Sequence, residues 1–519
     1  MASGTSKSGQ YEPVDAGGAS VEPSEVVAEQ STFSEGRKPI RQRVLDWIYP
    51  PEAPQATQLW RVENIAIPLG YCMVGLLQGL GSGVMAVYPI EIGATEAQQT
   101  SIKLIQSLPA SLKILFGFLS DTVPLFGFRR KGYMLTGWML SSASMFTLLA
   151  LGVPSIPLLA LLYFWYGLGF WLADVIADSL VAEKAKLEPE GQKGKLQSTC
   201  YACRFFMLMV GAAFATYAYD ALSPRFMFWV MGLAPVAICV PATYLLAERR
   251  YADVPSVKAQ SLEIWSSVTS RSVWQPMAFI YVYNLLQIGN AAWTQFLYTR
   301  LKFSATMINS LMVVAKVMLY FGIMIYKYGM MAWSWRLVYI FTTLLNAVFS
   351  TLQVVLVFGW NQKVGVSNFL FALGDDAIAD FIAGIQFLPS SIMFVNLCPV
   401  GSEGASYAMF TTASNTALGV GSSLSTLLLG IWDVSKQALE SGQVYGMAKL
   451  TVLTTLLQTS GLLFVFLLPR NRDELLALSH RGRSRVAGAI FLAAVGLGIL
   501  FSIVDTLLNV LVPGWSGES

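Results

Sequence analysis

Long apolar stretches alternate with short polar connections along most of this chain. They run over about 64–90, 98–120, 132–153, 156–182, 196–219, 226–247, 272–298, 305–329, 334–359, 367–397, 403–432, 448–469 and 486–512. Each is long enough to cross about 30 Å of hydrocarbon as a helix rising about 1.5 Å per residue. The pattern predicts an all-α, polytopic membrane bundle of about twelve spans, with one extra transmembrane helix at the C-terminal end. Residues 1–60 break the pattern. They are rich in Ser, Gly, Pro and Glu and read as a disordered cytoplasmic tail. Glu12, Asp15, Glu22, Glu25, Glu29 and Glu35 make the tail acidic, which argues against an organellar transit peptide.

The connections suggest an orientation. Arg129, Arg130, Lys131, Lys184, Lys186, Lys193, Lys195, Arg249, Arg250, Lys258, Arg271 and Lys327 alternate in side with the sparser Arg225, Arg300, Lys302, Lys363, Lys436 and Lys449. Arg470, Arg472, Arg481, Arg483 and Arg485 add to the first group. A positive-inside bias then puts the N-terminus in the cytoplasm. The longest polar connection within the bundle covers 248–271. It separates an N-terminal six-helix bundle (61–247) from a C-terminal one (272–470), as in carriers built of two related halves. Residues 471–519 are expected to hold a basic linker, the additional helix and a short tail.

Composition narrows the classes. Of 519 residues, 13% are charged, where soluble domains carry about 25%. Mean hydropathy is +0.55. The net charge of +3 is too small to suggest a nucleic-acid partner. The five cysteines lie in or beside apolar stretches, so Cys200 and Cys203 read as packing residues ahead of a metal or redox pair. His480 is the only histidine and lies outside the spans, which argues against a His-based metal centre or a Ser–His–Asp triad. No phosphate-binding Gly-x-x-x-x-Gly-Lys-Ser/Thr loop occurs, and no cofactor or metal is implied.

Charges inside the spans are few: Lys113, Asp174, Asp178, Arg204, Lys316, Asp376, Asp380 and Asp505. A charge in hydrocarbon is costly, so each is expected to face a partner or a pathway. Asp174 and Asp178 are one turn apart on one helix face. Arg204 and Lys113 fall near the depth of Asp174, so these three can pair across helices, either as a buried ion pair alone or as the lining of a cavity. Asp178 has no basic partner at its own level and is the candidate for gating or proton exchange. Asp376 and Asp380 look like a second copy of the motif, but they fall nearer the opposite face.

Asn284, Gln287 and Asn290 form a polar face that either a solute or helix–helix hydrogen bonds can satisfy. Thr411, Ser414 and Asn415 read similarly. Gly75, Gly79 and Gly83 recur every fourth residue, as a close-packing face does. Phe164, Trp165, Phe170, Trp171, Phe205 and Phe206 flank the charges and serve either packing or stacking.

The stretch from Gly117 through Asp121 to Arg129-Arg130-Lys131 resembles the loop between the second and third helices of major facilitator transporters, where an acid and a basic loop latch a gate. Here Thr122 to Gly127 lengthen it. That stretch from Lys113 onward, Ala173-Asp174-Val-Ile-Ala-Asp178-Ser179, Leu373-Gly374-Asp375-Asp376, and Leu397-Cys398-Pro399-Val-Gly401-Ser-Glu403-Gly404 together resemble signatures of the folate–biopterin transporter family of that superfamily.

The resemblance implies a 6+6 major-facilitator-type bundle that moves folates or pterins, with protons as the coupling ion. It implies a non-enzyme, working in a lipid bilayer and without nucleic acid. Lys113, Asp174, Arg204, Asn284, Gln287 and Asp376 are then the candidate substrate-binding residues. Asp121, Arg129, Arg130, Asp178 and Asp380 are the candidates for gating or proton coupling. A carboxylate can accept two adjacent N–H groups of a pterin, and Arg204 and Lys113 can take the carboxylates of a folate tail. The plasma membrane is expected ahead of an endomembrane or plastid membrane.

Three other readings stand beside this one. They are a carrier of another solute such as a sugar, amino acid or drug, a lipid-acting enzyme using Asp178, Glu183 and Lys184, and a non-transporting scaffold.

Overall fold

A computed structural model describes residues 39–49, 51–94, 96–189, 192–250 and 256–511. Most of the expected N-terminal tail, residues 1–38, lies outside the described residues. Within the unit formed by residues 1–51, Ile40–Ile48 is a helix. The rest of the chain forms a second unit.

That unit is all-helical among the described residues. Its long helices are α1 (Ala66–Glu91), α2 (Glu96–Ser111), α3 (Lys113–Thr122), α4 (Lys131–Leu151), α5 (Ile156–Ala185), α6 (Lys195–Ala234), α7 (Val257–Thr269), α8 (Arg271–Leu285), α9 (Ala305–Ile325), α10 (Trp335–Val357), α11 (Asn368–Leu397), α12 (Glu403–Leu427), α13 (Tyr445–Ser460) and α14 (Arg485–Leu511).

Among the described residues, 10 helices are long and apolar enough to cross a membrane. The second expected span is two helices, α2 and α3, bent by 40° at their junction. Two other stretches depart from a simple span. The stretch 272–298 breaks after Leu285 and resumes only at Trp293–Thr299, because the amides of Gln287 and Asn290 interrupt the apolar run. The stretch 403–432 is a continuous helix to Leu427, but its Ser, Thr and Gly content lowers its hydropathy. The fifth and sixth expected spans join at Ser223, whose left-handed φ of 63° precedes Pro224. Proline has no N–H for the helical ladder, so the chain turns there.

The connection expected as a loop over 248–271 holds α7. Ser256 caps it by accepting the Ala259 N–H at 3.2 Å.

Lipid offers no hydrophobic drive for helices to associate, so close backbone packing matters more. A Cβ added at Gly75 would lie 1.8 Å from the Arg204 carbonyl, and one at Gly79 2.4 Å from that of Leu208. The glycine stripe on α1 is therefore pressed onto α6. Gly137 and Gly169 bring α4 and α5 together in the same way, and Gly322 and Gly384 join α9 and α11. The helix α14 packs on α2, α7 and α12. A Cβ at Gly498 would lie 2.8 Å from the Thr416 side chain.

Candidate functional site

The α1–α6 contact fixes Arg204 nine residues into α6, facing α5. Its Nη1 donates to Asp174 Oδ1 at 2.8 Å, and Lys113 Nζ donates to Asp174 Oδ2 at 2.6 Å. Asp174, Lys113 and Arg204 are all buried. One carboxylate thus holds two cations, as the matched depths predict. Gln78, outside the expected set, and Trp171, one of the flanking aromatics, complete the cluster. Gln78 Oε1 accepts from Arg204 Nε at 3.2 Å and from Nη2 at 3.0 Å. The Lys113 ammonium lies 4.3 Å from the centre of the Trp171 ring.

Asp178, one turn along α5, has tyrosines for neighbours. Tyr71 Oη donates to its Oδ1 at 2.5 Å, and Tyr201 Oη lies 3.4 Å from the same oxygen. Tyr201 Oη is 3.0 Å from Tyr407 Oη on α12, and Gln197 Nε2 donates to Tyr407 Oη at 2.9 Å. The chain of hydroxyls runs from α5 to α12.

A second cluster closes the end of the bundle that carries Arg129 and Arg130. The extra residues 122–127 fold back on themselves. Leu125 and Phe128 exchange backbone hydrogen bonds at 2.9 and 3.0 Å, with Phe126 and Gly127 both at positive φ. This tight turn returns the arginines to Asp121. Asp121 Oδ1 accepts from Arg129 Nη2 at 3.0 Å and from Arg130 Nη2 at 2.6 Å. Its Oδ2 accepts from the Ala405 N–H at 2.8 Å and from Gln260 Nε2 at 3.2 Å. Arg130 also reaches Glu183 at 2.6 Å, and Arg129 donates to the Gly401 carbonyl at 3.0 Å. Glu248 accepts the backbone N–H groups of Arg129, Arg130 and Lys131, satisfying the open start of α4. Lys186 pairs with Glu403 at 2.5 Å.

This cluster is compact because Gly117 meets Gly404. A Cβ on Gly117 would lie 2.3 Å from the Gly404 carbonyl, and one on Gly404 2.8 Å from Arg130 Nη1.

The other expected residues lie in separate settings. Asn284 donates to Ser414 Oγ at 2.6 Å, a hydrogen bond between α8 and α12. Gln287 Nε2 lies 3.4 Å from the Tyr283 carbonyl, and Asn290 donates to Thr451 Oγ1 at 3.0 Å. Asp380 pairs with Lys316 at 2.8 Å. Asp376 lies half-buried one turn earlier on α11, 21 residues (roughly 30 Å) before the helix ends at Leu397. It therefore stands far from the Asp121 cluster.

Sequence reasoning did not single out Gln78, Tyr71, Tyr201, Glu248 or Gln260. Gln78 carried a usable signal, being a lone amide in an otherwise apolar run. The tyrosines did not, since a packing aromatic looks the same.

A cavity of about 500 Å³ opens above the charge cluster, bounded by α1, α2 and α5. It runs from Gln78 to Pro89 along α1, and Asp121 and its partners are not among its lining residues.

A family profile, that of the BT1 family, matches residues 77–480. A folate-biopterin transporter of Synechocystis is 28% identical over 418 residues, covering 78% of this chain and 82% of that protein. Folate transporter 1 of Plasmodium falciparum is 23% identical, covering 71% of this chain and 72% of its own. Two solved structures share the fold. A bacterial homologue of the iron transporter ferroportin, in an outward-facing state, aligns with a TM-score of 0.53 at 16% identity, over 77% of this chain and 99% of that one. The human organic anion transporter MFSD10 gives 0.55 at 14%, over 79% and 100%. At such identities the likeness speaks for a major-facilitator-type fold alone.

Proposed function

The chain belongs to the BT1 family, and we propose that it carries folates or pterins across a membrane by alternating access, driven by protons. The observation that carries this reading is Asp174 held between Lys113 and Arg204 inside the spans. A bundle that needed only to stand in the membrane would gain nothing from three ionised groups there. In a carrier such a cluster gives the solute and the proton something to act on. The names of the relatives supply the solute class, folates and pterins.

In this reading the Asp121–Arg129–Arg130 cluster is the gate at the basic end, drawn closed against residues 401–405. The cavity beside Gln78 is the way in from the other side. Asp178 exchanges the proton, and its tyrosine chain to Tyr407 reports its charge to α12. The 61–247 and 272–470 segments rock as two bodies about the site, with 248–271 linking them. We propose the plasma membrane as its location ahead of an endomembrane or plastid membrane.

Vesicles containing the protein test this. Labelled folate and biopterin accumulate against a gradient when a pH difference is imposed, and accumulation stops when the difference is collapsed. Accumulation that ignores the pH difference would refute the proton coupling and leave the solute standing. Failure to move either compound would refute the solute. A fluorescent fusion found on an internal membrane would refute the location.

A further inference from the structure

The cavity between α1, α2 and α5 is a separate matter from the charges beneath it. Its volume, about 500 Å³, lies in the range of about 300–1,000 Å³ typical of small-molecule sites. Gln78, Gln106 and Tyr166 are among the polar residues that line it. Gln78 gives its carbonyl oxygen to Arg204, which leaves its amide N–H groups free to act as donors. Gln106 directs its amide nitrogen at Met85 Sδ, 3.1 Å away, which leaves its carbonyl as an acceptor. Tyr166 is 3% exposed, lines the cavity, and its hydroxyl has no hydrogen-bond partner among the described residues. A buried hydroxyl without a partner is unfavourable.

The apolar wall is aromatic. Tyr166 stacks on Phe170 at 6.2 Å with an interplanar angle of 18°, and Phe170 meets Trp171 edge-on at 5.0 Å. Lys103 stands exposed on the cavity lining and makes no ion pair among the described residues.

We infer that this cavity is the substrate-reading subsite. A 2-amino-4-oxo heteroaromatic ring lies against Tyr166 and Phe170, its polar edge is read by Gln78, Gln106 and Tyr166, and an anionic tail, where the solute has one, ends at Lys103. The inference rests on the proposed transport of folates or pterins. A pterin edge offers N–H donors beside ring nitrogen and carbonyl acceptors, so it can use both the Gln78 donors and the Gln106 acceptor. Asp174 then does not touch the ring. It orients Arg204, which orients Gln78. Occupation of the cavity is thereby felt at the charge cluster through one side chain. Gln78, Gln106 and Tyr166 are specificity residues, and the cation at Lys103 separates folate from tail-less pterins.

The test compares uptake by wild type, Tyr166→Phe and Lys103→Ala, each with folate and with biopterin, alongside the unfolding temperature of the purified full chain. Tyr166→Phe removes an atom that bonds nothing in the protein, so the unfolding temperature should hold. KM for both solutes should rise, by up to about tenfold for one lost hydrogen bond. Lys103→Ala should raise the KM for folate relative to that for biopterin by about tenfold, as loss of a charge-assisted contact does. If wild type moves both solutes and neither variant changes these values, the subsite is wrong and the transport reading survives. If wild type moves neither, the transport reading fails, and the subsite falls with it.

Discussion

Arg204 bonds Asp174 at 2.8 Å from the same residue whose backbone carbonyl is pressed against Gly75. One close helix contact thus sets the position of a buried charge. Asp174 answers two cations, so removing it leaves both without a counter-ion. Asp174→Asn should destabilise the folded protein by about 3–5 kcal/mol, the usual result of orphaning a buried charge. Thermal unfolding in detergent, followed with and without the substitution, measures this.

The Lys316–Asp380 pair is the control. Its side chains are 38% and 26% exposed. Both residues lie inside spans, and where that open surface faces the water of the transport path such a pair contributes about 0–1 kcal/mol. Lys316→Ala should therefore leave the unfolding temperature almost unchanged. A drop as large as that of Asp174→Asn would show that exposure does not govern these charges.

Gly404 has no room for a side chain, since a Cβ there meets Arg130 Nη1 at 2.8 Å and Asp121 Oδ1 at 2.9 Å. Gly404→Ala should prise the latch apart. Ser402, fully buried in the adjoining connection, then becomes reachable. In a background without native cysteines, Ser402→Cys should react with a thiol reagent several-fold faster when Gly404→Ala is added. Equal rates would mean that the latch tolerates the methyl group.

Glu188 lies in the connection between α5 and α6. It accepts the Gly194 N–H at 2.9 Å and the Leu196 N–H at 2.6 Å. Burial pushes its carboxyl above the ordinary glutamate value, against the opposing pull of those two N–H donors. The folded state then holds the proton more tightly than the unfolded state. The associated stability is complete below the ordinary glutamate range and is lost as pH rises through the raised folded value. Glu188→Gln cannot titrate. The unfolding temperature of wild type minus that of Glu188→Gln should fall as pH rises from about 4 toward neutrality. A difference that rises with pH would give the shift the wrong sign.

The legible parts of this protein were those tied to spacing and depth. Lys113, Asp174 and Arg204 meet as their positions along three spans imply, because rigid helices convert residue number into height. The Gly75 stripe was legible for the same reason. Contacts between distant segments were not. Gly117 and Gly404 belong to no periodic pattern, and nothing local ties Gln260 to Asp121. The break after Leu285 was hidden because three amides in an apolar run fit a solute face as well as an interrupted helix. Asn284 illustrates the ambiguity, since its amide bonds Ser414 on the neighbouring helix.

The central claim is that Asp174 organises a folate or pterin carrier. It is tested most directly by uptake of labelled folate and biopterin with Asp174→Glu, normalised to folded protein. Glutamate keeps the charge that Lys113 and Arg204 need but moves the carboxylate by one methylene. The account predicts near-normal unfolding and uptake reduced by about tenfold or more, as misplacement of a critical group by about 1 Å can cost. Wild-type uptake rates in Asp174→Glu, together with wild-type rates in folded Asp174→Asn, would contradict it.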